Sequence, residues 1–333
     1  MKRGLCLLLL VAVAVPAFSH LPQFTRQTGG SSVGRDRWPL GSTPTWNLNP
    51  SLTGTNISVG TSTPTEIITT SFVTWSNAPG SALTIQRGGD TTKTVPSYDC
   101  VNTIAFKCTS GCDFGTDDST LAITFTTTSD GASSDRDCDN NVPFVGQILD
   151  SDILFNQNVS YVTATDSDPD TQDLQTIATH EIGHFLGLDH SAIVKSMMFP
   201  FAPDRLVTLS YDDAAGIDAL YPVSGNVSDE CVSSMGVISG SVTFASSGGV
   251  FGAHVFASST TDAVYAPWAG LRKSPIGAVT MSDGSYCITG LPPDSYLVTA
   301  EPLDGPMTND EIGNYADNFG RTSVQTNFLT RWH

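Results

Sequence analysis

The segment HEIGHFLGLDH, His180 to His190, constrains this chain more than any other stretch. It follows DLQTIAT from Asp173, a run that suits a helix. On an α-helix His180 and His184 are one turn apart, about 6 Å along the axis and on one face, so both imidazoles can reach a single metal ion. Gly187 falls where such a helix must stop, and glycine enters the left-handed conformation cheaply, letting the chain turn and bring His190 to the same ion. Three neutral nitrogen ligands leave a tetrahedral zinc one position short, the mark of a catalytic rather than a closed structural site. Glu181, beside His180, can accept a proton from water held in that position. No other histidine lies between His20 and His254.

The rest of the chain supplies the setting. Its 333 residues allow a full-sized core plus one smaller unit. A formal charge of -18 argues against nucleic acid and against an anionic membrane surface as partners. Lys2 and Arg3 precede the apolar run Leu5 to Val15, and Ala17 and Ser19 stand where a signal peptidase cuts, so residues 1–19 are expected to be a signal peptide. No later stretch approaches the roughly 18 apolar residues of a membrane span, so no membrane insertion is expected once that segment is removed. Six cysteines remain, Cys100, Cys108, Cys112, Cys138, Cys231 and Cys287, an even number that suits an oxidising compartment. Pairing within domains favours Cys231 with Cys287 and leaves the other four open.

The chain divides into a signal peptide (1–19), a short leader or flexible arm (20–37), a core region (38–222), a linker (223–234), a β-rich unit (235–302) and a tail (303–333). Thr65 to Asn77 places Ile67, Ile68, Phe72 and Trp75 near helical spacing, with Thr63 or Thr65 as N-cap and Pro79-Gly80 as the stop. Ala82 to Gln86, Leu121 to Thr127 and Gln147 to Phe155 read as strands. The strand bearing Asp150 and Asp152 is expected to border a substrate cleft. Asp-rich loops at Asp113 to Asp118, Asp130 to Asp139 and Asp166 to Asp173 leave Ca2+ possible, but none has the spacing of a twelve-residue calcium loop.

HExxHxxGxxH resembles the metzincin clan of zinc metallopeptidases, whose signature is followed by a Met-turn. SMMFP, Ser196 to Pro200, is similar to that turn, with Met198 matching its methionine in preference to Met197. Ser191 directly after His190 looks like the matrixins, the family of the matrix metalloproteinases. LSYDDAAGIDALYP, Leu209 to Pro222, resembles the closing matrixin helix, in which Asp212 or Asp213 would support the Met-turn. Where astacin-like and serralysin-like relatives carry a tyrosine this chain has Pro200, so a tyrosine ligand is not expected. No cysteine lies between Cys6 and Cys100, which excludes a cysteine-switch form of latency. The extra histidines that hold a second zinc in animal matrixins are absent, so the resemblance implies one catalytic Zn2+. Farther on, DGSYCITGLPPDSYLVTAEP resembles the carboxypeptidase regulatory-like domain, which implies an accessory or spacer unit.

The fold implied is α+β: a metzincin-type catalytic domain, with a mixed twisted sheet and an active-site helix, followed by a small all-β sandwich. The activity implied is that of a secreted, extracellular zinc metalloendopeptidase acting on proteins or peptides, with His180, His184 and His190 on zinc, Glu181 as general base, and Gly187, Met198, Asp212 and Asp213 in support. The alternative is a zinc-containing extracellular adhesive or matrix-binding protein without turnover. A third reading is a cell-surface structural module whose C-terminal unit does the work. Oligomeric state has no signature in the sequence.

Overall fold

The computed structural model describes residues 21–114, 120–163, 171–201, 205–227, 231–245, 248–312 and 315–332. The expected signal peptide at 1–19 lies outside them, as do residues 115–119 and 164–170 of two Asp-rich loops and 228–230 of the linker.

A five-stranded sheet runs in the order Gln86–Asp90, Thr45–Asn49, Asn102–Ala105, Ile148–Phe155, Ala122–Thr128. Its first four strands pair in parallel and the last is antiparallel. Ile148–Phe155 is buried along its whole length. It hydrogen-bonds to neighbours on both sides, so it cannot border a cleft. The cleft is bordered instead by the edge strand Ala122–Thr128, close to the predicted 121–127. Asp152 faces inward for a structural reason, since its two oxygens accept the backbone N–H groups of Ser97 and Thr103 at 2.9 and 2.7 Å.

Helix α1, Pro64–Ser76, starts at Thr63, whose hydroxyl and backbone form a reciprocal capping box with Glu66. Helix α2, Leu174–Phe185, is capped by the Asp173 carboxylate on the N–H of Thr176. Aromatic packing relays position from sheet to helices: Trp46 stacks on Phe72 at 4.6 Å, and Phe72 meets Phe185 of α2 edge-on at 5.5 Å. Trp75, fully buried, donates its indole N–H to the Thr179 carbonyl at 2.7 Å, one residue before His180. Helix α3, Tyr211–Leu220, closes this core, with Ser210 and Asp213 forming a second capping box.

The strand expected at 82–86 falls at Gln86–Asp90 instead. Ala82 donates to the Tyr221 carbonyl and Ser81 bridges Pro222, which diverts that stretch from the sheet. The disulfides are Cys100–Cys138, Cys108–Cys112 and Cys231–Cys287, the last as expected.

One region is more ordered than its composition suggested. In the leader, Phe24–Arg26 and Val33–Arg35 form an antiparallel pair. Residues 236–332 form a two-stranded sheet, Gly236–Ser241 with Ser285–Leu291, and a four-stranded antiparallel sheet in the order Ile276–Val279, His254–Ser259, Tyr296–Glu301, Arg331–Trp332. His254 sits in its strand as expected. The tail contributes the last of those strands and a short helix α4, Tyr315–Asn318. Leader and tail are packed together because both carry apolar residues: Leu21 and Phe24 share one buried cluster with Phe251, Leu303, Met307, Ile312 and Tyr315. Tyr211, Ala214 and Ala215 of α3 likewise share a core with Val255, Trp268 and Ile288.

Trp75→Ala is expected to cost about 3–5 kcal/mol of stability, from lost volume and burial. Trp75→Phe, which loses the bond to Thr179 but keeps a ring, should cost about 1–3 kcal/mol. Urea unfolding measures both, and an unchanged midpoint for the alanine variant would contradict this packing.

Candidate metal centre

Three imidazole nitrogens converge at the base of the cleft. The Nε2 atom of His184 lies 3.2 Å from that of His180 and 3.3 Å from that of His190. Each ring's other nitrogen faces a backbone carbonyl: Nδ1 of His180 donates to Met197 and Nδ1 of His184 to Leu188, both at 2.8 Å, while Nδ1 of His190 donates to Glu311. A carbonyl only accepts, so in the neutral rings Nδ1 holds the hydrogen and all three Nε2 atoms present lone pairs. Lone pairs aimed at one another across that distance repel unless a cation stands between them. Tetrahedral zinc with bonds of about 2.05 Å places its nitrogen ligands about 3.3 Å apart, so the donor set fits that ion.

Electrostatics keeps these rings neutral. Burial lowers the pKa of His180, and lowers that of His184 well below the ordinary imidazole value, with the neighbouring His190 and His180 adding to the effect. His190 is pushed down to about 4, by burial first and by His180 second, against the pull of the Glu311 carbonyl.

Gly187 has φ +93°, the left-handed turn that the sequence predicts. A second reason for glycine appears only in three dimensions: a Cβ there would lie 2.0 Å from the Asp36 carbonyl oxygen. Gly183 is equally constrained, since its Cβ would lie 2.2 Å from Sδ of Met198, a fully buried side chain packed under α2. The two expected aspartates divide their contacts. Asp213 accepts from the backbone N–H of Met197 at 2.9 Å and of Ser210 at 2.6 Å, and from the Ser196 hydroxyl, so it fixes the Met197–Met198 turn. Asp212 accepts from the Ser191 hydroxyl and from the backbone N–H of Gly277, tying the residue after His190 to the C-terminal sheets.

Glu181 is 6% exposed and accepts from the Thr124 hydroxyl at 2.6 Å. Burial pushes its carboxyl up to about 7, and the Thr124 bond works in the opposite direction. Thr124 belongs to the edge strand, and no local sequence pattern pairs it with a glutamate 57 positions later. The cleft, about 640 Å3, is lined by Leu121, Thr124, Glu181, the three histidines and, from the tail, Asp310 and Glu311. The approach of the tail also escapes the sequence reading.

The family model for matrixin matches residues 46–222, more than half of the chain, and the chain belongs to the matrixin family. Zinc is the metal that this family implies. Among curated proteins, Metalloendoproteinase 1 of Glycine max is 46% identical over 54 residues, 16% of this chain and 18% of that protein. Metalloendoproteinase 5-MMP of Arabidopsis thaliana is 51% identical over 51 residues, 15% of this chain and 14% of its own. Stromelysin-3 of Xenopus laevis is 54% identical over 50 residues, 15% of this chain and 10% of its own. The chain thus aligns with less than a fifth of the length of each of these relatives.

The lowered imidazole pKa values give a pH prediction. Imidazoles with depressed pKa values protonate less at a given pH, so the three histidines themselves should contribute only a small loss of apparent zinc affinity between pH 7.5 and 5.5, with His190 protonating only near 4. Three imidazoles of ordinary pKa would lose about a thousandfold across the same range. Competition titration with a chromogenic chelator distinguishes the two.

Proposed function

We propose that this protein is a secreted zinc endopeptidase that hydrolyses peptide bonds in proteins, with His180, His184 and His190 holding one zinc ion and Glu181 as general base. The observation that carries this reading is the convergence of three Nε2 lone pairs beside a buried carboxylate in an open cleft. Bound zinc would supply Lewis acidity, lowering the pKa of water and polarising a substrate carbonyl. The protein's own part is proton handling and alignment. Glu181, with a carboxyl pushed up to about 7, is matched to taking a proton from water near neutrality and returning it to the leaving amine. Thr124 fixes the orientation of that carboxylate. An extended peptide would add to Ala122–Thr128, the last strand of its sheet, beside α2.

Residues 38–222 serve in this proposal as the catalytic region, with 235–302 as a β-sandwich of the carboxypeptidase regulatory-like type. Secretion is supported by the charged, apolar and small-residue order of residues 1–19 and by three disulfides. No helix among the described residues is long and apolar enough to cross a membrane.

Casein hydrolysis with and without a zinc chelator tests the reading. Glu181→Ala should lower turnover by about a thousandfold or more while one zinc per chain is retained, because the proton acceptor is lost and the ligands are not. His184→Ala should lose the metal as well. Zinc retained by a wild-type chain that cleaves no protein would favour an adhesive role over an enzymatic one.

A further inference from the structure

The three histidines are not held alike. His180 and His184 stand on α2, and their Nδ1 acceptors, Met197 and Leu188, lie 17 and 4 residues away in the chain. His190 lies beyond the helix, and its Nδ1 acceptor, the Glu311 carbonyl, lies 121 residues away. A ligand outside regular structure depends on its hydrogen-bond partner for ring orientation, so whatever fixes the Glu311 carbonyl also fixes the third nitrogen.

Two sets of contacts fix it. Within the tail, the Glu311 side chain folds back so that one carboxylate oxygen accepts both the backbone N–H and the hydroxyl of Thr308, at 2.7 and 2.6 Å. On either side of that turn Met307 and Ile312 are buried, in the cluster that also contains Leu21 and Phe24 of the leader. The leader then reaches the histidine turn from the other side. Leu21 O accepts the N–H of Asp189, and the N–H of Gln23 donates to Gly187 O, both at 2.8 Å. The Asp189 carboxylate in turn accepts the N–H of His190 at 2.8 Å.

We infer that the 307–312 turn is a built-in part of the metal centre and that Glu311 is its positioning residue: the side chain locks the turn, and the main-chain carbonyl sets the tautomer and direction of His190. This rests on the zinc-site reading above. It gives the tail, residues 303–333, a direct part in metal retention.

The test uses the full chain with Glu311→Ala and Glu311→Gln, since glutamine keeps an oxygen able to accept from Thr308. Zinc transfer to a chromogenic chelator and the visible absorption of the cobalt-substituted protein are the readouts, with thermal melting of the metal-free chains as the folding control. Glu311→Ala should release zinc about tenfold faster and shift the cobalt bands while its metal-free melting temperature stays at the wild-type value. Glu311→Gln should restore both readouts, and Thr308→Val should reproduce the alanine effect in part. Wild-type release rates and cobalt spectra in both Glu311→Ala and Thr308→Val would overturn the inference. A wild-type chain that binds no zinc would instead remove the reading beneath it, so the two failures are distinguishable.

Discussion

The site turns on a repulsion that only a cation relieves. Three imidazole lone pairs point at one another across 3.2 and 3.3 Å because each Nδ1 is committed to a backbone carbonyl. Neutral rings held so closely give up hydration and gain no hydrogen bond from each other, so the arrangement costs stability until a metal occupies the centre. Much of the surrounding structure supports that geometry. The Trp46, Phe72 and Phe185 stack presses α2 against the sheet, Met198 packs beneath Gly183, and Asp213 secures the turn whose carbonyl orients His180.

Glu181 illustrates the electrostatic side of the same design. The burial that lowers the histidine pKa values also raises the Glu181 carboxyl towards neutrality, so one environment suits the imidazoles to a metal and Glu181 to its proposed role as base. The Thr124 hydroxyl links Glu181 to the edge strand, which joins the proposed base to the strand proposed to bind substrate.

Local chemistry was legible in the sequence wherever its cause is local. Helical spacing placed His180 and His184, and Gly187 occupies the left-handed turn expected of it. The capping signals left Thr63 or Thr65 open as the cap of α1; Thr63 is the cap, and the helix, Pro64–Ser76, starts and ends one residue before the expected 65–77. Long-range causes left no periodic trace. The Asp36 carbonyl against Gly187, the Thr124 hydroxyl on Glu181 and the Glu311 carbonyl on His190 join residues 151, 57 and 121 positions apart. The same holds for the strand at Gln86–Asp90, exposed and rich in glycine, which owes its pairing to Thr45–Asn49 rather than to alternation of its own. The polar leader resembled a flexible arm because it carries few apolar residues, and the apolar partners of Leu21 and Phe24 lie more than 200 residues away.

X-ray absorption at the zinc edge of the loaded protein tests the central claim most directly. The account predicts three nitrogen scatterers of imidazole type and one oxygen at about 2.0–2.1 Å. Sulfur scatterers, a six-coordinate shell of oxygen, or fewer than three imidazoles would contradict it.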